Sequence, residues 1–163
     1  MIQRHGWTLL FHAALVDQLA RLSKAVERVK AKDPQQYESN SNYKLFSALS
    51  RLMLETIPLD PGKDEYRQGT TLGPEWRHWR RAKVGRRFRL FYRYDSATRV
   101  IVYAWVNDTE TLRSAGSKRD PYEVFRRMLE RGNPPDTWKE LVAGSTADMG
   151  LQAAIDTDPK PQD

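Results

Sequence analysis

The 163-residue chain contains no cysteine, which excludes disulfides, Cys-ligated zinc, iron–sulfur clusters and thiol catalysis together. It has no apolar run near the ~20 residues needed to span a bilayer, and its opening MIQRHGWTLLF is too short and too aromatic for a secretory signal. A cytoplasmic location with no membrane partner is therefore expected. Neither a phosphate-cradling glycine loop nor a nucleophile elbow is present, and Gly62, Gly69 and Gly73 read as turn glycines. The three histidines, His5, His12 and His78, have no metal-ligand spacing and no acidic partner at a suitable interval. No metal site and no cofactor are expected; His78 stays a minor candidate beside the basic strands described below.

Acidic residues are scarce where it matters. The net charge is +6, but residues 133–163 hold six acids against two lysines, so residues 1–132 carry 25 basic and 15 acidic groups, a net of +10. A domain this basic usually meets a polyanion, most often nucleic acid. The plainer alternative is a basic surface kept for solubility.

The length suits one domain, expected over residues 1–143, with a polar, disordered tail at 144–163. There are no internal repeats. Residues 6–12 read as a strand. Leu15, Leu19, Leu22, Val26 and Val29 recur at helical spacing to about Lys32. Asp33-Pro34-Gln35-Gln36 resembles a capping box opening a second helix to about Thr56, with a break possible at the weakly helical Ser39–Asn42. Residues 57–75 form a long loop, free to move. Strands follow at 79–84, 87–94 and 100–106, the last continuously apolar as in a centre covered on both faces. Asp120 caps a further helix through Phe125 and Leu129 to Gly132, and residues 136–142 add a turn or two. Asn107 and Asp108 terminate the central strand. The class is α+β: an N-terminal strand, two antiparallel helices, a three-stranded meander in a small, mostly antiparallel sheet, and a C-terminal helix.

Residues 76–99 hold nine basic residues and one acid, Asp95. Strand alternation puts Trp79, Arg81 and Lys83 on one face of the first strand, and Arg87, Arg89, Phe91 and Arg93 on one face of the second. If the opposite faces pack on helices, these five cations converge on an open floor where Trp79 and Phe91 can stack on bases. A solvated strand face, charged against edge pairing, is the competing explanation. Crowded like charges without acids favour an anionic ligand instead. RNA suits such a surface. Its 2′-hydroxyl can attack the adjacent phosphorus if one group takes the proton, cations neutralise the phosphorane and another group protonates the leaving 5′-oxygen. Lys83, flanked by Arg81 and Arg89, is the candidate for proton transfer, with Tyr122 and Lys118 as possible partners.

The segments GW at 6–7, KDP at 32–34, WRRAKVG at 79–85, FRLFYRY at 88–94, AWVNDTETLR at 104–113 and GSKRDPYEVFRRMLERGNPP at 116–135 carry a resemblance over roughly residues 6–142. The chain resembles the YhaV-type toxins of type II toxin–antitoxin systems, within the RelE-like endoribonuclease superfamily. That resemblance implies a RelE-like fold, RNA cleavage that inhibits translation (an mRNA interferase), and a cognate antitoxin of the AbrB-like swapped-hairpin, PrlF type. It places paired strand cations on Arg81 and Lys83, a third on Arg89, a loop cation on Arg113 with Lys118 or Arg119 as alternatives, and a helix-opening tyrosine on Tyr122. Some relatives use histidines where this chain has Lys118, so a lysine, arginine and tyrosine mechanism is expected. Asp120 reads as a helix cap, Tyr122 can be a packing residue, and Arg113 can bind phosphate without entering the chemistry. The alternatives are a ParE-like toxin acting on a protein target and a non-catalytic nucleic-acid-binding regulator.

Overall fold

The computed structural model describes residues 1–147. Strand β1, Ile2–Arg4, and β2, Trp7–His12, form a hairpin around His5 and Gly6. Both turn residues have positive φ, as a two-residue hairpin turn demands. Strand β2 lies parallel to β5, Val100–Val106, which pairs antiparallel with β4, Phe88–Asp95, and β4 with β3, Arg80–Val84. The result is a six-stranded mixed sheet in the order β1-β2-β5-β4-β3, with β6, Ser145–Thr146, antiparallel to the end of β2. Strand β6 lies beyond the boundary expected at residue 143; the rest of the expected tail, residues 148–163, falls outside the described residues.

Helix α1, Ala13–Lys32, begins where the His12 Nδ1 accepts the Ala14 N–H at 3.3 Å. The expected capping box works differently: Asp33 ends α1, its N–H reaching the Val29 carbonyl, and its carboxylate accepts the Gln36 N–H at 3.1 Å to tie a turn. After a short 3-10 turn, helix α2, Ser41–Arg51, starts from Asn40, whose side chain accepts the Asn42 N–H at 2.8 Å. The Ser/Asn run thus becomes a helix start, as these side chains compete with helical backbone bonding. Helix α2 passes through a π-helical turn, Leu52–Thr56, into α3, Ile57–Leu59. The segment at 57–75, expected to be loose, is pinned. Tyr66, Gln68 and Leu72 are buried, and the Gln68 amide donates to the Trp76 carbonyl while its oxygen accepts the Leu72 N–H.

Side-chain alternation sorts the sheet into two cores. Leu9, Phe11, Leu90, Tyr92, Ile101 and Tyr103 pack with Leu15, Leu19, Phe46, Leu49 and Met53 of α1, α2 and the π-turn. The Tyr92 and Tyr103 hydroxyls donate to the Pro61 and Met53 carbonyls at 2.7 Å, and burial pushes both phenols up, keeping them protonated. On the other face Trp79, Phe91, Val102, Ala104 and Trp105 pack with Tyr122, Phe125 and Leu129 of α4, Pro121–Glu130, and Leu141 of α5, Trp138–Ala143. A bulge lets this happen. Phe91 pairs with Trp105 but Tyr92 with Tyr103, so Ala104 is the extra residue and joins Trp105 in the same core. Among the described residues no helix is long and apolar enough to cross a membrane.

Candidate nucleic-acid interface and active site

Arg81, Lys83, Arg89, Phe91 and Arg93 do share a face, but much of it is roofed. Trp79 and Phe91 are 0% exposed because the apolar stripe of α4 lies on them. Phe125 stacks on Phe91 with ring centroids 4.4 Å apart and meets Trp79 edge-on at 5.1 Å. Neither ring can stack on a base, so the expectation of base-stacking Trp79 and Phe91 is corrected: both are core. The physical cause is the apolar side of α4, which needs a partner and finds it on this face.

The cations on this face divide into engaged and open ones. The Arg93 guanidinium lies 5.7 Å from the Trp79 ring and 5.5 Å from that of Trp138, and donates to the Asp136 carbonyl. Burial lowers its pKa while Asp136 opposes the shift. It fastens the α5 segment rather than facing outward, against its expected place among the open RNA contacts. Arg81 donates to the Glu65 and Arg67 carbonyls at 3.2 and 3.0 Å, binding the packed 57–75 segment. Arg89 is only 7% exposed, and its Nη1 donates to the Arg86 and Phe88 carbonyls. Its buried Nε has no partner among the described residues. Lys83, which faces Arg89 across the β3–β4 ladder, is exposed, as are Arg86 and Arg87 at the hairpin turn. The floor is therefore narrower than expected, reduced to the hairpin end of the sheet.

A second group joins that end. Arg87 Nε donates to the Arg113 carbonyl at 3.3 Å, and the Arg113 N–H returns to the Arg87 carbonyl at 3.0 Å. Asn107, buried at the end of β5, accepts the Arg89 N–H at 2.6 Å and donates to the carbonyls of Arg87 and Thr111. These bonds clamp the 107–113 loop against the start of β4. The Arg113 guanidinium sits 4.7 Å from the Tyr122 ring centroid and pairs with Asp120 at 2.6 Å. Tyr122 is buried between this guanidinium and the edge of Phe91. A cavity of about 380 Å³ opens here, lined in part by Thr71, Arg113, Lys118, Asp120, Tyr122 and Glu123. The structure thus gathers Arg113, Lys118 and Tyr122. Arg119 is exposed at the end of the same loop.

Asn107 and Asp120 enter the site although the sequence marks them only as a strand terminator and a helix cap. Their signal was the polar residue type at the end of an apolar run, which says nothing about tertiary donors. His78, for which no acidic partner is visible in the sequence, lies 2.6 Å from Asp136, which also accepts the Trp79 Nε1–H at 2.9 Å. That cluster fastens the opposite end of the sheet. Among the described residues no three His, Cys, Asp or Glu side chains group to hold a metal ion.

A mixed sheet with cations concentrated at one hairpin end, beside an Arg- and Lys-lined cavity, defines a small α+β protein with a cationic candidate site. The family model for toxins with endonuclease activity, of a toxin–antitoxin system, matches residues 9–146, and the chain belongs to this YhaV toxin family. It is 38% identical over 139 residues to "Toxin YhaV" of Escherichia coli O6:H1 and to "Ribonuclease toxin YhaV" of Escherichia coli K12, covering 84% of this chain and 90% of each of those proteins. No solved structure matches the chain. Membership in this family implies a cognate antitoxin.

Proposed function

We propose that the chain is the toxin of a type II toxin–antitoxin pair, and that it cuts messenger RNA by attack of the 2′-hydroxyl on the adjacent phosphorus, without a metal. The observation that carries this reading is the joining of the Lys83–Arg89 pair, through Arg87 and Asn107, to the cavity holding Arg113, Lys118 and Tyr122. The name of the Escherichia coli K12 relative, a ribonuclease toxin, supports RNA as the polyanion. The order of β2, α1, α2, the β3–β5 meander and α4 suits a RelE-like arrangement.

Arg113 takes the scissile phosphate and neutralises the charge that develops on its oxygens, while the largely buried Arg89 adds positive potential beside Lys83. Lys83, exposed and flanked by cations, accepts the 2′-hydroxyl proton or delivers one to the leaving 5′-oxygen, with Lys118 serving the other transfer. The oxygen–phosphorus bond to the 5′-oxygen breaks as the 2′-oxygen bond forms, leaving a 2′,3′-cyclic phosphate and a 5′-hydroxyl. Tyr122, buried under Arg113, acts as its platform. Arg81, Arg87 and Arg119 add positive potential along the strand that RNA follows. In the cytoplasm an antitoxin of the AbrB-like swapped-hairpin type would silence the toxin by covering this cationic end.

The test is cleavage of a defined messenger by purified protein, with and without ribosomes, each in chelator. Fragments ending in 2′,3′-cyclic phosphate are expected. Binding without scission in both settings would leave a nucleic-acid-binding protein and end the nuclease reading. Scission only on adding a divalent ion would end its metal-free form.

A further inference from the structure

Asp120 is 5% exposed at its side chain, and its carboxylate does more than a helix cap requires. A cap needs one acceptor for one orphan N–H of the first turn. Here Oδ2 accepts the Tyr122 N–H at 3.1 Å, while Oδ1 accepts both the Ser114 N–H at 2.7 Å and Arg113 Nη1 at 2.6 Å. Three donors thus meet two oxygens from both sides. An amide in this place would turn its NH2 toward at least one donor, so only a carboxylate suits all three. Burying that charge is costly unless a cation lies against it, and Arg113 supplies the cation.

The consequence falls on Arg113. One nitrogen of its fork is held by Asp120, and its carbon lies over the Tyr122 ring, itself wedged against Phe91 in the core. Among the described residues its Nε and Nη2 have no acceptor, and neither is buried. Arg113, Asp120 and Tyr122 all line the same cavity. A guanidinium held at one nitrogen, seated on a ring and free along its other edge is a preset two-pronged phosphate clamp, because little rotamer freedom is left to lose on binding.

We infer that Asp120 is a positioning residue for RNA cleavage: it fixes the Arg113 guanidinium on the Tyr122 ring so that its free edge receives the phosphate. This rests on the nuclease reading above, and it goes beyond the cap that the sequence suggests.

The test is a double-mutant cycle of Asp120→Asn and Arg113→Ala. It is read as cleavage rate on a defined messenger and as affinity for a 2′-O-methyl RNA of the same sequence, which cannot be cut. With Arg113 present, Asp120→Asn is expected to slow cleavage by about 10- to 100-fold, mainly in kcat. With alanine at 113, the same change is expected to alter rate and affinity by less than about twofold. Asp120→Ser, which keeps one cap oxygen, is the second variant and should give the same dependence on Arg113 with its thermal melt closer to that of the unmodified chain. A merely structural Asp120 would cause equal losses in both backgrounds, which overturns the inference while leaving the nuclease reading intact. An unmodified chain that cuts nothing overturns both.

Discussion

Phe91→Ala separates a core residue from a base-stacking one more sharply than any other single change. Phe91 is 0% exposed, and its ring meets Phe125 at 4.4 Å, Tyr122 at 5.5 Å and Trp105 at 6.1 Å. Truncating a buried Phe costs about 3–5 kcal/mol in lost transfer energy and cavity formation. Three aromatic partners place this site toward the upper end, since each pair adds about 0.5–1.5 kcal/mol beyond area burial. Against a total stability of about 5–15 kcal/mol, that is a large fraction. With a urea slope of about 2 kcal/mol per molar, the midpoint should fall by about 2 M with little change in slope. Urea unfolding followed by tryptophan fluorescence measures it, since Trp79 and Trp105 lie in the same core. Per folded molecule, RNA affinity should fall only as far as α4 shifts under Arg113. A loss below about 1 kcal/mol accompanied by a large loss of RNA affinity would falsify the assignment of this face as core.

Lys83→Ala should leave stability within about 0.5 kcal/mol, as for an exposed side chain, yet abolish RNA cleavage and growth arrest; retained cleavage would remove Lys83 from the chemistry. Replacing Arg87 or Arg119 by alanine should reduce the salt dependence of RNA binding by about 0.7 in log–log slope for each phosphate no longer neutralised, and unchanged slopes would mean that RNA does not pass there. Burial lowers the pKa of His12, whose Nδ1 must stay unprotonated to accept the Ala14 N–H. The unfolded chain therefore takes up the proton first as pH falls below about 6.5. His12 contributes stability above that pH and loses it as pH drops through the lower folded value; a His12→Asn variant should show a shallower fall of the urea midpoint between pH 7 and 5. An equal fall in both proteins would assign the effect to other groups.

Strands β2 to β5 were legible because side chains alternate with period two, and Arg81, Lys83, Arg89 and Arg93 share a face as that alternation requires, whereas the short β1 and β6 were not expected. Coverage of the face was harder to see, although a clue was available. In β5 both Ile101 and Tyr103 on one side and Val102 and Ala104 on the other are apolar, so both sides need a roof. Phe91 lies on the Val102 side, and the apolar stripe of α4 is what covers it. The Asp33-Pro34 motif misled for a different reason: an Asx turn and a helix cap use the same local hydrogen bond, and only the weakly helical Ser/Asn run downstream decides between them. Within the site, Lys83 opposite Arg89 follows from hairpin register. Asp120 with Arg113 and Asn107 with Arg89 are tertiary pairings, and no spacing in the chain encodes which donors a buried oxygen will meet.

The extra residue in β5 sets the phase of everything after it. Before Ala104, odd-numbered residues of the strand face α1 and α2; after it, the even-numbered Val106 does. Asn107 is thereby turned toward the Arg89 N–H, and the loop that carries Arg113 leaves the sheet on the cationic side. Were Ala104 paired in the ladder without the bulge, the two faces would exchange from that point on, sending the Asn107 amide into the apolar layer beneath α1 and lifting the arginine clamp off its ring. The geometry of the site is in this sense counted out along the strand, one residue out of step with the sheet that supports it.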